Sequence, residues 1–290
     1  MSETTIPAKL TLERQLGDWM RSRLPGPLAE FIMFGLKQGW ACLFGGLMLM
    51  LLIGTHLVWQ EEWPVARYDF LFVAAIAIQI AFLTYGLESL AEARVILLFH
   101  ITGTVMEVFK IHMGSWSYPE PGLIKLYDVP LFSGFMYASV GSYIARVIRL
   151  FDMRFTGFPP RGMLTLLAGL IYINFFTHHF GPDIRWALML ATLLLFAPAR
   201  VWFTISARAL WMPLVLAAAL ATFFLYVAES IGTATGTWIY RGQTTFTLAP
   251  LSKAGAWYLL LWVSFAQVLI VFDSVVIRRA PSNPRSKDIP

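Results

Sequence analysis

Apolar residues come in long blocks, interrupted by short stretches rich in Arg, Glu, Asp, Gly and Pro. A helix needs about 20 apolar residues to cross about 30 Å of hydrocarbon, and the blocks match that length. Spans are predicted near Gly39 to Trp59, Tyr68 to Leu87, Arg94 to Met113, Val129 to Val147, Met163 to Phe180, Arg185 to Thr204, Leu210 to Gly232 and Gly255 to Phe272. The runs are continuous and do not alternate, which predicts helices and excludes the strands of a barrel. The expected fold is all-α, a polytopic transmembrane bundle of about eight helices.

A repeat runs through this pattern. After the third block the chain reads Glu107, Gly114, Trp116, Tyr118, and after the seventh Glu229, Gly236, Trp238, Tyr240, both spaced as Glu-x6-Gly-x-Trp-x-Tyr. The offset of 122 residues also carries Thr55 and His56 onto Thr177 and His178, and Pro130-Leu131 has a near counterpart in Pro250-Leu251. Two tandem four-helix repeats are expected, 39–147 and 161–272, joined by a cytoplasmic connection at 148–160. An even number of spans per repeat relates the copies by a pseudo-twofold along the membrane normal.

Composition sharpens the membrane assignment. Hydrophobic residues make up 58% of the chain and charged residues 13%, against about 25% charged in a soluble domain. Of the 22 Lys and Arg, sixteen lie in the N-terminal segment, the even-numbered loops and the C-terminal tail. Basic loops stay cytoplasmic, so both ends are expected inside, in a bacterial inner membrane. The net charge of +5 therefore reflects topology and implies no nucleic-acid partner; the expected partners are membrane lipids and a lipophilic substrate. Residues 1–38 lack the pattern of a cleaved signal, so nothing is expected to be removed. Leu12, Leu16, Trp19 and Met20 recur at helical spacing there, suggesting a surface helix, and residues 273–290 form a basic cytoplasmic tail. The single cysteine, Cys42, excludes an internal disulfide.

Glutamates inside spans are costly and mark functional sites by default. Glu107 and Glu229 lie on small, polar helix faces and are the candidate catalytic pair. Lys110, three residues after Glu107, is expected to keep it ionised, whereas Gly232 holds the equivalent position beside Glu229, which would remain protonated. Trp116, Tyr118, Trp238 and Tyr240 are candidate substrate-lining residues, although aromatic rings also gather at membrane interfaces without further function. Asn174 and His178 share a face at i, i+4 and are further substrate-binding candidates. The five histidines show no zinc or di-iron pattern, so no metal site is expected, while facing imidazoles at His56 and His178 could hold a haem or metal and leave the cofactor open.

The stretches Met106 to Lys110, Gly114 to Glu120 and Val129 to Tyr137 resemble a bacterial membrane family known as domain of unknown function 817. The resemblance implies a polytopic membrane fold over nearly the whole chain and no particular activity. A more distant similarity, to membrane-embedded carotenoid hydratases and lycopene cyclases, implies acid–base chemistry on an isoprenoid. The leading expectation is such an enzyme. A proton-coupled transporter and a non-catalytic assembly protein are the alternatives.

Overall fold

The computed structural model describes Trp19 and residues 22–206, 209–243 and 247–272. The expected surface helix around Leu12, Leu16 and Met20 and the basic tail at 273–290 lie outside the described residues. The first half contains α1 (Gly26–Ala41), α2 (Leu43–Val58), α3 (Arg67–Thr84), α4 (Leu90–His112) and α5 (Phe132–Leu150). The second contains α6 (Arg161–Thr177), α7 (Arg185–Phe196), α8 (Leu214–Ala234) and α9 (Ser252–Val271).

Local chemistry sets the helix ends. Ser89 caps α4 by accepting from the Glu92 amide at 3.2 Å, while the Glu92 carboxylate accepts from the Ser89 amide at 2.7 Å. Pro25, Pro160 and Pro213 stand at the starts of α1, α6 and α8. Both α4 and α8 end on a glycine with φ of +64°, Gly114 and Gly236, and the next amide in each case returns to a carbonyl of the last turn.

By length and composition, α3, α4, α8 and α9 are apolar enough to cross a membrane. The pair α1 and α2, bent by 72° at Cys42, makes a fifth candidate if counted as one broken span. The helices α6 and α7 are apolar but shorter. The sequence predicts eight spans, and several bounds differ from that prediction. Residues 26–38 were expected in the polar N-terminal segment, yet they form most of α1, which packs on α5. The block Arg185 to Thr204 stops being helical at Phe196, because Pro198 follows and the chain turns into a strand rich in β-formers.

The fold is therefore mainly helical with small sheets. An antiparallel sheet joins β4 (Arg154–Thr156), β5 (Arg200–Thr204) and β6 (Ala209–Pro213) at one end of the bundle. At the other end, β1 (Trp116–Ser117) pairs with β7 (Ile239–Tyr240), and β2 (Lys125–Leu126) pairs with β3 (Val129–Pro130).

The helices α5 and α9 meet at the centre. The helix α2 packs on α3 and α5, and α6 packs on α7 and α9; across the halves α2 meets α8, and α6 meets α4. Close approach of α4 to α5 depends on small residues. A Cβ on Gly103 would lie 2.7 Å from Tyr137, and one on Gly141 would lie 2.8 Å from Phe99. Towards the sheet end, fully buried Arg146 lies 3.7 Å from the Glu88 carboxylate, which also accepts from Gln79 and Ser142.

Candidate functional site

Each repeated motif folds into a cage around its own glutamate. The turn after α4 brings Trp116 Nε1 within 2.8 Å and the Tyr118 hydroxyl within 3.0 Å of Glu107 Oε2. The turn after α8 does the same for Glu229, whose Oε1 accepts from Trp238 Nε1 at 2.7 Å and from the Tyr240 hydroxyl. A third group comes from the next helix. Tyr137 on α5 donates to Glu107 Oε1 at 2.7 Å, and Trp257 on α9 lies beside Glu229 in the corresponding place. Tyr137 and Trp257 stack on each other with ring centroids 5.9 Å apart.

The two cages are joined. In the β1–β7 pair Trp116 stands opposite Tyr240, and their rings meet edge to face at 5.8 Å. Tyr118 and Trp238 make the exchanged contact at 6.4 Å. Both carboxylates are buried, at 3% and 5% exposure, and they interact electrostatically. An indole N–H can only donate, so Glu107 Oε2 and Glu229 Oε1 must act as acceptors. At Glu107 a proton is best held on the other oxygen, Oε1, because its partner, the Tyr137 hydroxyl, can accept as well as donate.

The cations are arranged differently from the expectation. Among the described residues no ion pair joins Lys110 to Glu107. The Lys110 ammonium instead lies 3.3 Å from His178 Nε2 and 3.0 Å from His179 Nε2. His178 Nδ1 is 2.7 Å from the Asn174 carbonyl and must be its donor, which leaves Nε2 free to accept from Lys110. Spacing of i, i+3 gave Lys110 reach to Glu107, but the two imidazoles at the end of α6 offer closer acceptors. Asn174 holds the loop after α6, binding Asp183 and the Ile184 amide. Asn174, His178 and Lys110 thus form a separate cluster. His179, in that loop, is held below the ordinary histidine range by burial first and by the charge of Lys110 second.

The cation beside the paired cages is Lys253, at the start of α9. It interacts electrostatically with Glu229, and its ammonium sits 3.9 Å from the Tyr240 ring centroid and 5.7 Å from that of Trp116. Gly232 occupies the position equivalent to Lys110 for a steric reason. A Cβ there would lie 2.0 Å from the Trp238 ring.

Both glutamates open onto a cavity of about 890 Å³ bounded by α1, α2, α5, α8 and α9. Its lining is apolar apart from the caged end and a few polar side chains such as Gln38 and Ser139. The opposite end is closed by buried Phe151, which caps α5, and by Phe155, Val201 and Phe203 of the three-stranded sheet. Along the flank, the lining residues Phe31 on α1 and Leu220 and Phe224 on α8 are 73%, 49% and 69% exposed. The mouth therefore lies on the apolar side of the bundle, between α1 and α8.

Sequence reasoning missed Tyr137, Trp257 and Lys253. It also missed Arg67, which is buried at the start of α3 and donates to Thr55, the Leu52 carbonyl, Glu120 and Thr237. Arg67 thereby ties the first half to the second motif.

The family described as protein of unknown function (DUF817) matches residues 30–265. The chain belongs to this family. The match includes both glutamates and every donor of the two cages. The chain is also similar to the uncharacterized protein YoaT of Bacillus subtilis (strain 168), 40% identical over 239 residues, which cover 82% of this chain and 90% of that protein. No solved structure matches. Membership of DUF817 brings no activity with it, and the likeness to carotenoid hydratases and lycopene cyclases gains no support from these relatives.

Proposed function

We propose that this protein is a membrane-embedded acid–base enzyme acting on a lipophilic, isoprenoid-type substrate that enters sideways from the bilayer. The observation that carries this reading is the cavity: buried carboxylates at one end, a packed apolar end opposite, and a mouth lined by exposed Phe31, Leu220 and Phe224. A transporter needs a polar path between the two aqueous faces. A lateral apolar mouth serves a molecule already dissolved in lipid.

In this reading one caged acid delivers its proton to a carbon of a C=C bond, and the π electrons form the new C–H bond. The carbocation left behind faces the rings of Trp116, Tyr118, Tyr137, Trp238, Tyr240 and Trp257. It is quenched when the second carboxylate removes a proton from a neighbouring carbon, re-forming a double bond elsewhere in the skeleton. The net change is an isomerisation or cyclisation, with no oxidant consumed, and the cycle closes when the proton returns between the two acids. Lys253 stands beside Glu229, so we assign Glu229 as the base and Glu107 as the acid, the reverse of the roles expected from Lys110.

The same proposal takes the chain as two tandem four-helix units related by a pseudo-twofold, spanning a bacterial inner membrane with both ends inside. The matched cages, the two glycines of equal φ, the β1–β7 pairing and the exchange of helix neighbours between halves support the duplication. Arg149, Arg154, Arg161 and Arg200, in and beside the three-stranded sheet, support an inward-facing sheet end.

The test is a comparison of lipid extracts from cells with the protein, without it, and with Glu107→Gln/Glu229→Gln protein at equal abundance. The proposal expects an apolar product that depends on both glutamates. Identical extracts from all three would refute it.

A further inference from the structure

Beneath the cages the chamber has a definite length. On α8, the lining runs from Glu229 back to Leu214, fifteen residues or about 22 Å of helix. Leu214 directly follows β6, and the chamber ends there against Phe155, Val201, Phe203 and Met212 of the three-stranded sheet and its approach. This floor is firmly built. Val201 stands opposite Met212 in the β5–β6 pair, Phe155 stands opposite Val201 in the β4–β5 pair, and Phe203 packs with Phe151 and α1. On the wall between cage and floor, α8 presents small side chains at Ala217, Ala218 and Ala221.

An extended carbon chain advances about 1.25 Å per atom, from a 1.52 Å bond and a tetrahedral angle. About 22 Å therefore accommodates roughly 17 main-chain carbons, or about four isoprene units, measured from the glutamates to the sheet. The volume divided by that length gives a cross-section on the order of 40 Å², against roughly 13 Å² for a bare chain of carbons in contact at about 4 Å. That width admits methyl branches.

We infer that the three-stranded sheet is a chain-length stop. The chamber takes one linear isoprenoid of about four units, with its reacting end at Glu107 and Glu229 and its tail against Phe203 and Met212. This rests on the functional reading above and adds to it the length of the substrate and the residues that set it. Ala221 lies eight residues before Glu229, about 12 Å along the helix, so a bulky side chain there closes the chamber near its middle. Met212 lies at the floor, so shortening it deepens the chamber.

The experiment uses the full chain purified in detergent and measures binding of four probes, geraniol, farnesol, geranylgeraniol and solanesol, by displacement of a fluorescent polyene. Wild type should bind geranylgeraniol best and solanesol at least tenfold more weakly. Ala221→Phe should lose geranylgeraniol at least tenfold while retaining geraniol, and Met212→Ala should shift the preference towards the longer alcohol. If Ala221→Phe does not yield folded protein, Met212→Ala alone decides the matter. Equal binding of all four alcohols by wild type, or an unchanged order in the variants, would overturn the length stop and leave the lipophilic chamber standing. Failure of wild type to bind any alcohol would overturn both.

Discussion

Replacing Glu229 by leucine and by glutamine separates two roles of the cage. Leucine deprives two buried donors, Trp238 Nε1 and the Tyr240 hydroxyl, of their acceptor. Each orphaned donor costs about 1–3 kcal/mol, so Glu229→Leu should lose roughly 2–6 kcal/mol. Glutamine keeps an acceptor oxygen for both and orphans neither, so its cost should stay below about 1 kcal/mol. At about 2–4 °C per kcal/mol for a chain of this size class, the leucine variant should melt about 4–24 °C lower and the glutamine variant no more than about 4 °C lower. The assay is thermal unfolding in detergent, followed by the loss of monodisperse protein on size exclusion. Equal melting of the two variants would refute the claim that the carboxylate organises the cage. Full activity of Glu229→Gln would sink its role as a base, because the amide can accept hydrogen bonds but cannot take up a proton at neutral pH.

Trp116→Phe and Trp238→Phe each remove one indole donor from a matched position, so each should cost about 1–3 kcal/mol in the same assay; a loss confined to one of them would contradict equivalence of the cages. Gly232→Ala should displace the Trp238 ring and change its fluorescence maximum in a single-tryptophan background, at a cost of about 1–3 kcal/mol; an unchanged spectrum would contradict the contact. Lys110→Met removes a positive charge that opposes protonation of His179, so the His179 midpoint should move up towards about 6.5 by NMR titration. With the neutral form less strongly favoured in the folded state, the variant should also lose less stability than wild type as pH falls from about 7 to about 5. A midpoint that stays in place would show that Lys110 does not act on His179.

The glutamates and four of the six side chains around them were legible because their spacing is fixed within each turn following a helix, where a few residues of sequence determine who can meet whom. Tyr137 and Trp257 were hidden because they arrive from the following helix and differ in residue type. The signal was nevertheless present. Pro130 and Pro250 are offset by 120 residues, and that register, not the 122 of the cage turns, aligns Tyr137 with Trp257. Lys110 was misplaced because helical spacing states what a side chain can reach and is silent on competing acceptors from another helix. The strands at Arg200–Thr204 and Ala209–Pro213 merged with neighbouring apolar blocks, since Val, Trp and Phe serve a strand and a span equally well. Arg67 stands at the edge of a span, and only tertiary contacts reveal its partners.

The proposed chamber is reached from lipid and not from either aqueous face. Ala221→Cys in a Cys42→Ser background places one thiol among the described residues on the chamber wall. In sealed vesicles of each orientation, an apolar maleimide and a charged, membrane-impermeant thiosulfonate compete to label it. The account predicts labelling by the apolar reagent and none by the charged reagent from either side. Labelling by the charged reagent from one or both aqueous faces would contradict the lateral chamber and favour a transport path.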